Sequence, residues 1–354
     1  MTTNDLLRPT LLGLSPFAVA LPRILVDLQA VMVENPTKEA NMELMKGIYF
    51  DGEKATYRED LPIPVPEEGQ SLIRILMAAV CSTDKEILKG YRPDFKGVMG
   101  HEFVGVVESS DDASLVGRRV VGEINENCGH CLYCTTGRPH HCSNRHTPGL
   151  SKDGCFAQYM TLRTNLLHVV PDGLETDVAV FTEPLAAAFE ILEQVNMKAG
   201  TPVAVIGDGR LALCIANVMH MAGADLSIVG KHSDKLEVFR PLGNVLLHAE
   251  PQSFEVVIEA SGHPSGMETA LRIVRRKGTI VLKSTFAAPV SLNLSQVPVE
   301  ELSIIGSRCG PFEPALKALS SRQVVLPPLE RHPLEDFEGA FSSTAFKAGF
   351  EISS

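Results

Sequence analysis

The chain has 354 residues, a length that suits two domains of ordinary size. Its 43 acidic and 32 basic residues give a formal charge of −11, which argues against a nucleic-acid partner because such a partner needs a basic face. The sequence contains no apolar run long enough to span a bilayer, so we expect no membrane partner.

Residues 1–44 differ from the rest of the chain. Their apolar stretch is interrupted by Pro16 and Pro22 and lacks a basic start and a small-residue cleavage site, which disfavours a targeting peptide. We therefore predict a poorly ordered extension over residues 1–44. A strand pattern that leads into an Asp51-Gly52 turn predicts that the first domain begins at Met45.

The hydrophobic pattern changes along the body of the chain. Residues 45–184 carry short β-branched runs between glycines and prolines, which predicts a β-rich domain. Residues 185–305 alternate strand and helix patterns, which predicts a doubly wound parallel sheet. Residues 306–354 mix both patterns, and we expect them to complete the first domain. The predicted fold class is therefore α/β, with a β-rich domain joined to a parallel-sheet domain.

Four cysteines form the most specific pattern of the β-rich domain. They are spaced C-x2-C-x2-C-x7-C and are Cys128, Cys131, Cys134 and Cys142. Four thiolates on one ion leave no open coordination position, so the spacing predicts a structural zinc site. A disulfide framework is disfavoured because cysteines so close together in a triplet pair poorly as bridges. Clustered thiolates without a secretory signal also predict a reducing, cytoplasmic location.

A glycine-rich motif opens the alternating region. A strand runs directly into the pattern Gly-x-Gly-x-x-Ala, formed by Gly207, Asp208, Gly209, Arg210, Leu211 and Ala212. Gly207 permits a tight turn, Gly209 lets a pyrophosphate approach the backbone, and the small Ala212 lets the next helix pack closely. The N-terminus of that helix then faces the phosphates. We predict that residues 207–211 bind a dinucleotide.

The end of the next strand indicates which dinucleotide binds. NAD-binding folds place an acidic residue about twenty residues beyond the glycines, where it binds the ribose 2′-hydroxyl. Gly230 occupies that place here and is followed by Lys231 and His232. The missing carboxylate removes a repulsion, and the lysine supplies a charge for a 2′-phosphate. The sequence therefore favours NADP(H) over NAD(H); the alternative is a lysine that points to solvent.

Candidate ligands for a catalytic metal lie in three separate places. Cys81 follows a buried-looking strand, His101 and Glu102 precede another strand, and Glu183 stands where the two regions meet. One thiolate, one imidazole and one or two carboxylates suit a zinc ion that keeps a position open. Each residue alone also fits a structural role, so the prediction rests on their occurrence together with the four-cysteine loop.

Taken in order, these motifs resemble those of zinc-dependent medium-chain alcohol and polyol dehydrogenases. The resemblance covers residues 45–354 and rests on five motifs: Cys81-x-Thr83-Asp84, Gly100-His101-Glu102, the four-cysteine loop, Glu183-Pro184 and the Gly207 turn. Because Glu183 stands where many alcohol dehydrogenases have a cysteine, the chain looks closer to the sorbitol, glucose and threonine dehydrogenases.

The resemblance implies a domain arrangement and a set of ligands. A GroES-like catalytic domain would span residues 45–184 and be completed by 306–354, with a Rossmann domain over 185–305 and the active site between them. By similarity, three residues would bind the catalytic zinc, and Glu102 would be a fourth ligand or a carboxylate that exchanges with substrate. The three are Cys81, His101 and Glu183.

The resemblance also implies roles for residues outside the ligand set. Thr83 would be the hydroxyl of a proton relay, and Lys235 would contact the adenosine ribose. Family members often end the relay with a histidine, but Glu86 occupies that position here. The exit of the proton beyond Thr83 is therefore open.

The implied activity is the interconversion of an alcohol or polyol and its aldehyde or ketone, by hydride transfer to a nicotinamide. It implies two zinc ions per chain, a small-molecule alcohol or carbonyl substrate, and a homo-oligomer, either a dimer or a tetramer. Two other classes compete with it: an inactive, dehydrogenase-like nucleotide sensor or scaffold, and a zinc-ribbon binding module. The sensor predicts a lost ligand or a damaged glycine turn, and the module predicts a basic surface without a nucleotide fold. Zinc-free quinone or enoyl reductases would not need the catalytic ligands.

Overall fold

The computed structural model describes residues 43–286 and 289–352, so the predicted extension lies outside the described residues up to residue 42. The described strands, in chain order, are β1 Leu44–Phe50, β2 Ala55–Pro62, β3 Gln70–Ala79, β4 Gly97–Val98, β5 Glu102–Ser109, β6 Arg119–Gly122, β7 Tyr159–Arg163, β8 Leu167–Val169, β9 Pro202–Ile206, β10 Asp225–Val229, β11 Asn244–Leu246, β12 Phe254–Glu259, β13 Val274–Leu282, β14 Ser303–Gly306, β15 Leu329–His332 and β16 Lys347–Glu351.

The described helices, in the same order, are α1 Ser82–Ile87, α2 Leu132–Thr135, α3 Thr176–Ala179, α4 Thr182–Gln194, α5 Arg210–Met221, α6 Ser233–Leu236, α7 Pro264–Ile273, α8 Gln296–Val299, α9 Phe312–Ser320 and α10 Phe337–Ser342. Helix α5 is buried on all sides from Ala212 to Met219, as expected for an apolar helix enclosed in the core. None of the described helices is long and apolar enough to cross a membrane.

The β-rich part of the chain forms a seven-stranded sheet with the order β15-β16-β3-β5-β6-β8, and β7 pairs with β3 outside this path. Strand β3 buries every second residue from Ser71 to Met77, as expected for a sheet with one face in the core. The last strand of the chain, β16, pairs with β3 in the register Gly349 to Ala79. The C-terminal segment therefore returns to the first sheet. A smaller sheet has the order β2-β1-β4.

The alternating part of the chain forms a six-stranded parallel sheet with the order β11-β10-β9-β12-β13-β14. The first strand in sequence, β9, lies centrally between β10 and β12, so the strand order reverses there. The carboxyl ends of β9 and β12 then border a crevice, which is where doubly wound sheets bind ligands. The predicted fold class, a β-rich domain joined to a doubly wound parallel sheet, is confirmed.

One apolar core joins the two sheets. It includes Val104 and Val121 of the first sheet together with Leu213 of α5 and Phe312 of α9. A cleft of about 2420 Å³ runs alongside this core, and both sheets contribute to its walls. The ends of β3, β9, β12 and β13 open into it, so residues that follow these strands can meet in one place.

Candidate active site and metal centres

Three of the predicted metal ligands meet at one end of the cleft. The ligating atoms of Cys81, His101 and Glu102 all lie within 4.8 Å of one another. Cys81 follows β3 and begins α1, whereas Glu102 starts β5. Because β3 and β5 pair with Ala79 opposite Glu102, the antiparallel register brings the end of one strand beside the start of the other. Strand pairing therefore brings Cys81 close to His101 and Glu102, although they are separated in the sequence.

The fourth predicted ligand, Glu183, lies in the first turn of α4 and lines the same cleft. Glu183 does not belong to the group of three, but the charges of that group affect its pKa. Burial raises the pKa of Glu183 to about 7, the charge of Glu102 raises it too, and His101 opposes both. A cation bound beside a carboxylate in this environment would favour its charged form.

The buried Asp84 holds two of these ligands in place. Its Oδ2 accepts the backbone N–H of Cys81 at 2.7 Å, and its Oδ1 lies 3.4 Å from Nδ1 of His101 without an aligned hydrogen bond. With Nδ1 turned toward Asp84, Nε2 is the nitrogen left to bind a metal. The sulfur, imidazole and carboxylate donors fit zinc, and a carboxylate beside the second ring nitrogen suits a metal-bound histidine.

A buried lysine also belongs to this end of the cleft. Lys347 of β16 forms an ion pair with Oε2 of Glu102, and both side chains are about 2% exposed. One oxygen of Glu102 is therefore occupied by the lysine. No sequence signal pointed to Lys347, since a single lysine in a strand usually faces solvent.

The predicted relay hydroxyl stands next to the first ligand. Oγ1 of Thr83 lies 3.6 Å from Sγ of Cys81, and Thr83 lines the cleft. Glu86, at the position where the resemblance implied a histidine, lies one turn further along α1 and also lines the cleft. Its carboxylate accepts a hydrogen bond from Nζ of Lys89 at 2.8 Å.

The four-cysteine loop brings its sulfur atoms together. Sγ of Cys131 lies 3.5 Å from that of Cys134 and 3.8 Å from that of Cys142, which is 3.5 Å from Sγ of Cys128. Sulfurs of a tetrahedral zinc site with bonds of about 2.3 Å lie about 3.8 Å apart, so the cluster fits a zinc ion. These separations are far beyond a disulfide bond of about 2.05 Å. Backbone N–H groups lower the pKa of Cys131 to about 6, which favours the thiolate.

The glycine motif forms the expected strand–turn–helix. Gly207 has φ +132° and packs so tightly that an added Cβ would lie 2.7 Å from the carbonyl oxygen of Ala260. No atom lies within 4 Å of where a Cβ would stand on Gly209, which leaves open space in front of the first N–H groups of α5. This opening fits a pyrophosphate.

The other predicted cofactor residues divide into two groups. Leu211, Lys231 and His232 line the cleft. Lys235, in contrast, is half-buried on α6 outside the lining residues. Arg210 also lines the cleft, but its guanidinium turns toward the first sheet, where it donates to the carbonyl of Val80 at 2.6 Å and to Ser82 at 2.7 Å.

A second buried lysine was missed by sequence reasoning. Nζ of Lys283, just after β13, donates to the carbonyls of Ala187 at 2.7 Å and Arg308 at 2.8 Å, and to Oγ of Ser307 at 3.2 Å. Burial lowers the pKa of Lys283 to about 8. The lysine thus joins α4, which carries Glu183, to the ends of β13 and β14. Asp84 had a local signal, three residues after a cysteine at a helix start, but Lys283 had none.

A group of zinc-type donors in the same cleft as a Gly-x-Gly-x-x-Ala turn is typical of two-domain, nicotinamide-dependent oxidoreductases. Comparison with family models agrees with this class. Residues 67–172 match the alcohol dehydrogenase GroES-like domain, and residues 211–321 match the zinc-binding dehydrogenase family.

Curated relatives and solved structures give the same result. The chain is 29% identical to the sorbitol dehydrogenase of Halalkalibacterium halodurans over 83% of this chain and 93% of the relative. It is 29% identical to the L-threonine 3-dehydrogenase of Bacillus subtilis over 82% of this chain and 92% of the relative. A zinc-binding dehydrogenase from Sinorhizobium meliloti, solved with NADP, has the same fold with a TM-score of 0.80 at 23% identity, covering 87% of this chain and 99% of that one.

The chain therefore belongs to the zinc-dependent medium-chain alcohol and polyol dehydrogenases, a family of NAD(P)-dependent oxidoreductases that act on alcohols. The resemblance read from the motifs is confirmed, as are the GroES-like and Rossmann domain types. Both matched models describe dehydrogenase domains and lend no support to a zinc-ribbon module or an inactive scaffold.

We expect the Cys131→Ser variant to lose the loop zinc but keep the other zinc, because the two clusters share no ligand. Metal analysis should fall from two zinc ions per chain to one. The melting temperature should fall by about 5 °C or more because the loop loses its staple, whereas the turnover rate at 25 °C should change less than about threefold. Cys214→Ala, which alters a buried cysteine of α5 outside both clusters, is the control. Two zinc ions retained by Cys131→Ser would contradict the assignment.

Proposed function

We propose that the cleft oxidises an alcohol, or reduces the matching carbonyl compound, with a zinc ion held by Cys81, His101 and Glu183. The observation that carries the proposal is the convergence of Cys81 and His101 with Glu102 within 4.8 Å, in a cleft that Glu183 and the glycine turn also line. A zinc ion there would supply a Lewis acid that lowers the pKa of the alcohol hydroxyl. The nicotinamide would supply the hydride acceptor.

The chain's own residues would move the proton. Oγ1 of Thr83 lies 3.6 Å from the ligand sulfur, and Thr83 can accept the proton of the alcohol while it gives its own proton onward. Glu86 follows three residues later on the same face of α1 and lines the cleft, so it can pass the proton toward solvent. Glu102 pairs with Lys347 and adds a buried carboxylate beside the other proposed ligands. Asp84 lies 3.4 Å from Nδ1 of His101 and orients its imidazole.

We expect Cys81→Ser and Glu183→Ala to lower kcat/KM roughly a thousandfold or more, because a lost Lewis acid is worth several kcal/mol. Both variants should also lose one zinc per chain while their circular dichroism spectra stay unchanged. Matched controls are Cys214→Ala and Glu193→Ala; Glu193 is exposed near the end of α4. Full activity and full zinc content in both ligand variants would refute the proposed site.

We propose further that the protein prefers NADP(H). Nζ of Lys231 reaches Oγ of Ser265 at 3.1 Å and has no carboxylate partner in the described chain, so its charge is available to a 2′-phosphate. A Cβ at position 230 would lie 3.1 Å from Oδ2 of Asp208, so the space for a ribose-binding acid is already filled.

The carboxylate of Asp208 is itself occupied. It accepts the backbone N–H groups of Lys231 at 2.8 Å and His232 at 2.9 Å, and it lies 2.9 Å from Nδ1 of His232. Burial alone would raise the pKa of Asp208, but the N–H groups of His232 and Lys231 lower it below its usual value. These donors offset its charge and hold the loop after β10 in place.

We expect Lys231→Ala to raise the KM for NADP+ about tenfold and the KM for NAD+ less than twofold, since one phosphate contact is worth about 1.4 kcal/mol. Binding of the two reduced cofactors, followed by nicotinamide fluorescence, gives a readout independent of turnover. Lys317→Ala, at an exposed position on α9 outside the cleft lining, serves as the control. Equal losses for the two cofactors in Lys231→Ala would overturn the preference.

We propose that the protein is a homo-oligomer that pairs through β14. This strand lies at the edge of the parallel sheet, and edge strands offer unpaired N–H and C=O groups to another chain. Ile304 on the strand is 39% exposed, and Val299 and Leu294 just before it are 75% and 63% exposed. Such an apolar edge favours association.

We expect Ile304→Asp to shift the protein toward the monomer, because a charge at the centre of an apolar contact is costly. Light scattering after size exclusion measures the mass directly. The control is Val65→Asp, because Val65 is 86% exposed and distant from β14 in the sequence. This variant should keep the wild-type mass. A wild-type mass for Ile304→Asp would place any interface elsewhere.

A further inference from the structure

The cleft differs in charge from the chain as a whole. The chain carries a formal charge of −11, yet ten lysines and arginines line the cleft against six carboxylates. None of the six arginines among those lining residues forms an ion pair within the described chain. In contrast, six of the ten described arginines outside the cleft do so. The cleft therefore keeps its positive charge available.

Two of these arginines are joined by a network of neutral groups. Arg308 donates to Oδ1 of Asn125 at 3.0 Å, Nδ2 of Asn125 lies 3.4 Å from Nδ1 of His140, and the carbonyl of His140 accepts from Arg145 at 2.9 Å. Asn125 is only 2% exposed, so the network is anchored in the protein interior. An amide and a carbonyl orient both guanidinium groups without cancelling either charge.

The hydrogen-bond roles in this network follow from Asn125. Because its oxygen accepts from Arg308, its nitrogen must donate to Nδ1 of His140. The histidine is then neutral, with its proton on Nε2. Burial lowers the pKa of His140, Glu123 opposes this effect, and Arg308 and Arg145 lower the pKa further, which agrees with a neutral ring.

Arg308 and Arg145 bind the two ends of the same short network, so their charges act on one another. Burial lowers the pKa of Arg145, and the charges of Arg308 and Arg92 add to that effect. Like charges gathered without a counter-ion destabilise the free protein. A bound anion would relieve the repulsion and form charge-assisted hydrogen bonds with both guanidinium groups.

The network lies beside the proposed reaction centre. The carbonyl of Arg308 accepts from Nζ of Lys283, which also donates to the carbonyl of Ala187 at 2.7 Å. Ala187 is one helical turn beyond Glu183, so Arg308 borders the turn that carries this proposed ligand. The predicted phosphate contacts of the cofactor belong to a different element, the start of α5, together with Lys231. The arginine network therefore faces the substrate side of the cleft.

We infer that Arg308 and Arg145 bind an anionic group of the substrate, so that the alcohol is a sugar acid or a sugar phosphate rather than a neutral polyol. The inference rests on the proposed dehydrogenase function and specifies its substrate class. The recognised chemistry is an oxyanion, a carboxylate or a phosphate, attached to the carbon chain away from the reacting hydroxyl. Planar guanidinium groups bind either oxyanion in a two-pronged geometry.

The test measures turnover by the zinc-loaded protein with NADP+ and three groups of alcohols: neutral polyols, aldonates and polyol phosphates of matched chain length. We expect one of the two anionic groups to give a kcat/KM at least about tenfold above the neutral polyols, and to lose this advantage as ionic strength rises. The better anionic group identifies carboxylate or phosphate. Equal rates for neutral and anionic alcohols at low salt would overturn the inference while leaving the dehydrogenase intact.

Substitutions of Arg308 and Arg145 test whether these residues cause the preference for anionic substrates. Arg308→Gln should lower kcat/KM for the anionic substrate about a hundredfold and for neutral polyols less than about threefold, because only the anion loses a charge-assisted contact. Arg308→Lys should recover part of the loss, and Arg145→Gln should act in the same direction as Arg308→Gln. Arg118→Gln, which is exposed and outside the cleft, is the control. An undiminished anion preference in both Arg308→Gln and Arg145→Gln would refute the site.

A binding measurement separates this inference from the proposed function. Calorimetry with gluconate and with inorganic phosphate, on zinc-loaded protein saturated with NADP+, should show binding that Arg308→Gln abolishes. Saturation with NADP+ keeps the added phosphate out of the cofactor site. Binding without turnover of any alcohol would support the anion site and refute the dehydrogenase. Turnover without binding of either anion would refute the anion site alone.

Discussion

The buried ion pair between Lys347 and Glu102 is the interaction on which the catalytic end of the cleft depends. The two residues are 245 positions apart, and each is about 2% exposed. A buried charge without its partner costs several kcal/mol, so neither residue can be buried in charged form before the other arrives. Strand β16 must therefore dock on β3 before Glu102 can stay charged beside Cys81 and His101. The last strand of the chain completes the pocket that the first strands begin.

The ionisable groups around this pair also explain why a bound cation would stabilise the pocket. Lys347 offsets Glu102, but Asp84, Glu183 and Cys81 lie in the same pocket without a lysine or arginine partner in the described chain. Burial raises the pKa of Glu183 to about 7, and the charge of Glu102 adds to this effect. A divalent cation offsets negative charge here directly, and the donor types are those of zinc. In the four-cysteine loop, four thiolates would likewise gather negative charge that a divalent cation offsets.

Sequence reasoning succeeded where the deciding pattern is local. The turn at Gly207 and the four cysteines are each written within fifteen residues, so spacing alone indicates what they form. Cys81 and His101 meet only because β3 and β5 pair in one register, and a family resemblance was needed to join them. Lys347 and Arg308 could not be predicted, because their partners are set by long-range packing. A lysine in a strand or an arginine in a loop reads as solvent-exposed until the fold shows what surrounds it.

The two parts of the cleft used in the proposals differ in charge. Carboxylates gather beside the proposed ligands, whereas Arg308 and Arg145 form no ion pair with any residue that the structure describes. The chain has 43 acidic residues, and some of them form ion pairs with other arginines such as Arg74 and Arg331. Leaving both parts unpaired lowers the stability of the empty protein, and each missing partner is a ligand of the opposite sign. Zinc and an anionic substrate should therefore each stabilise the fold as well as serve the reaction, since a ligand that binds only the folded state shifts the folding equilibrium toward it.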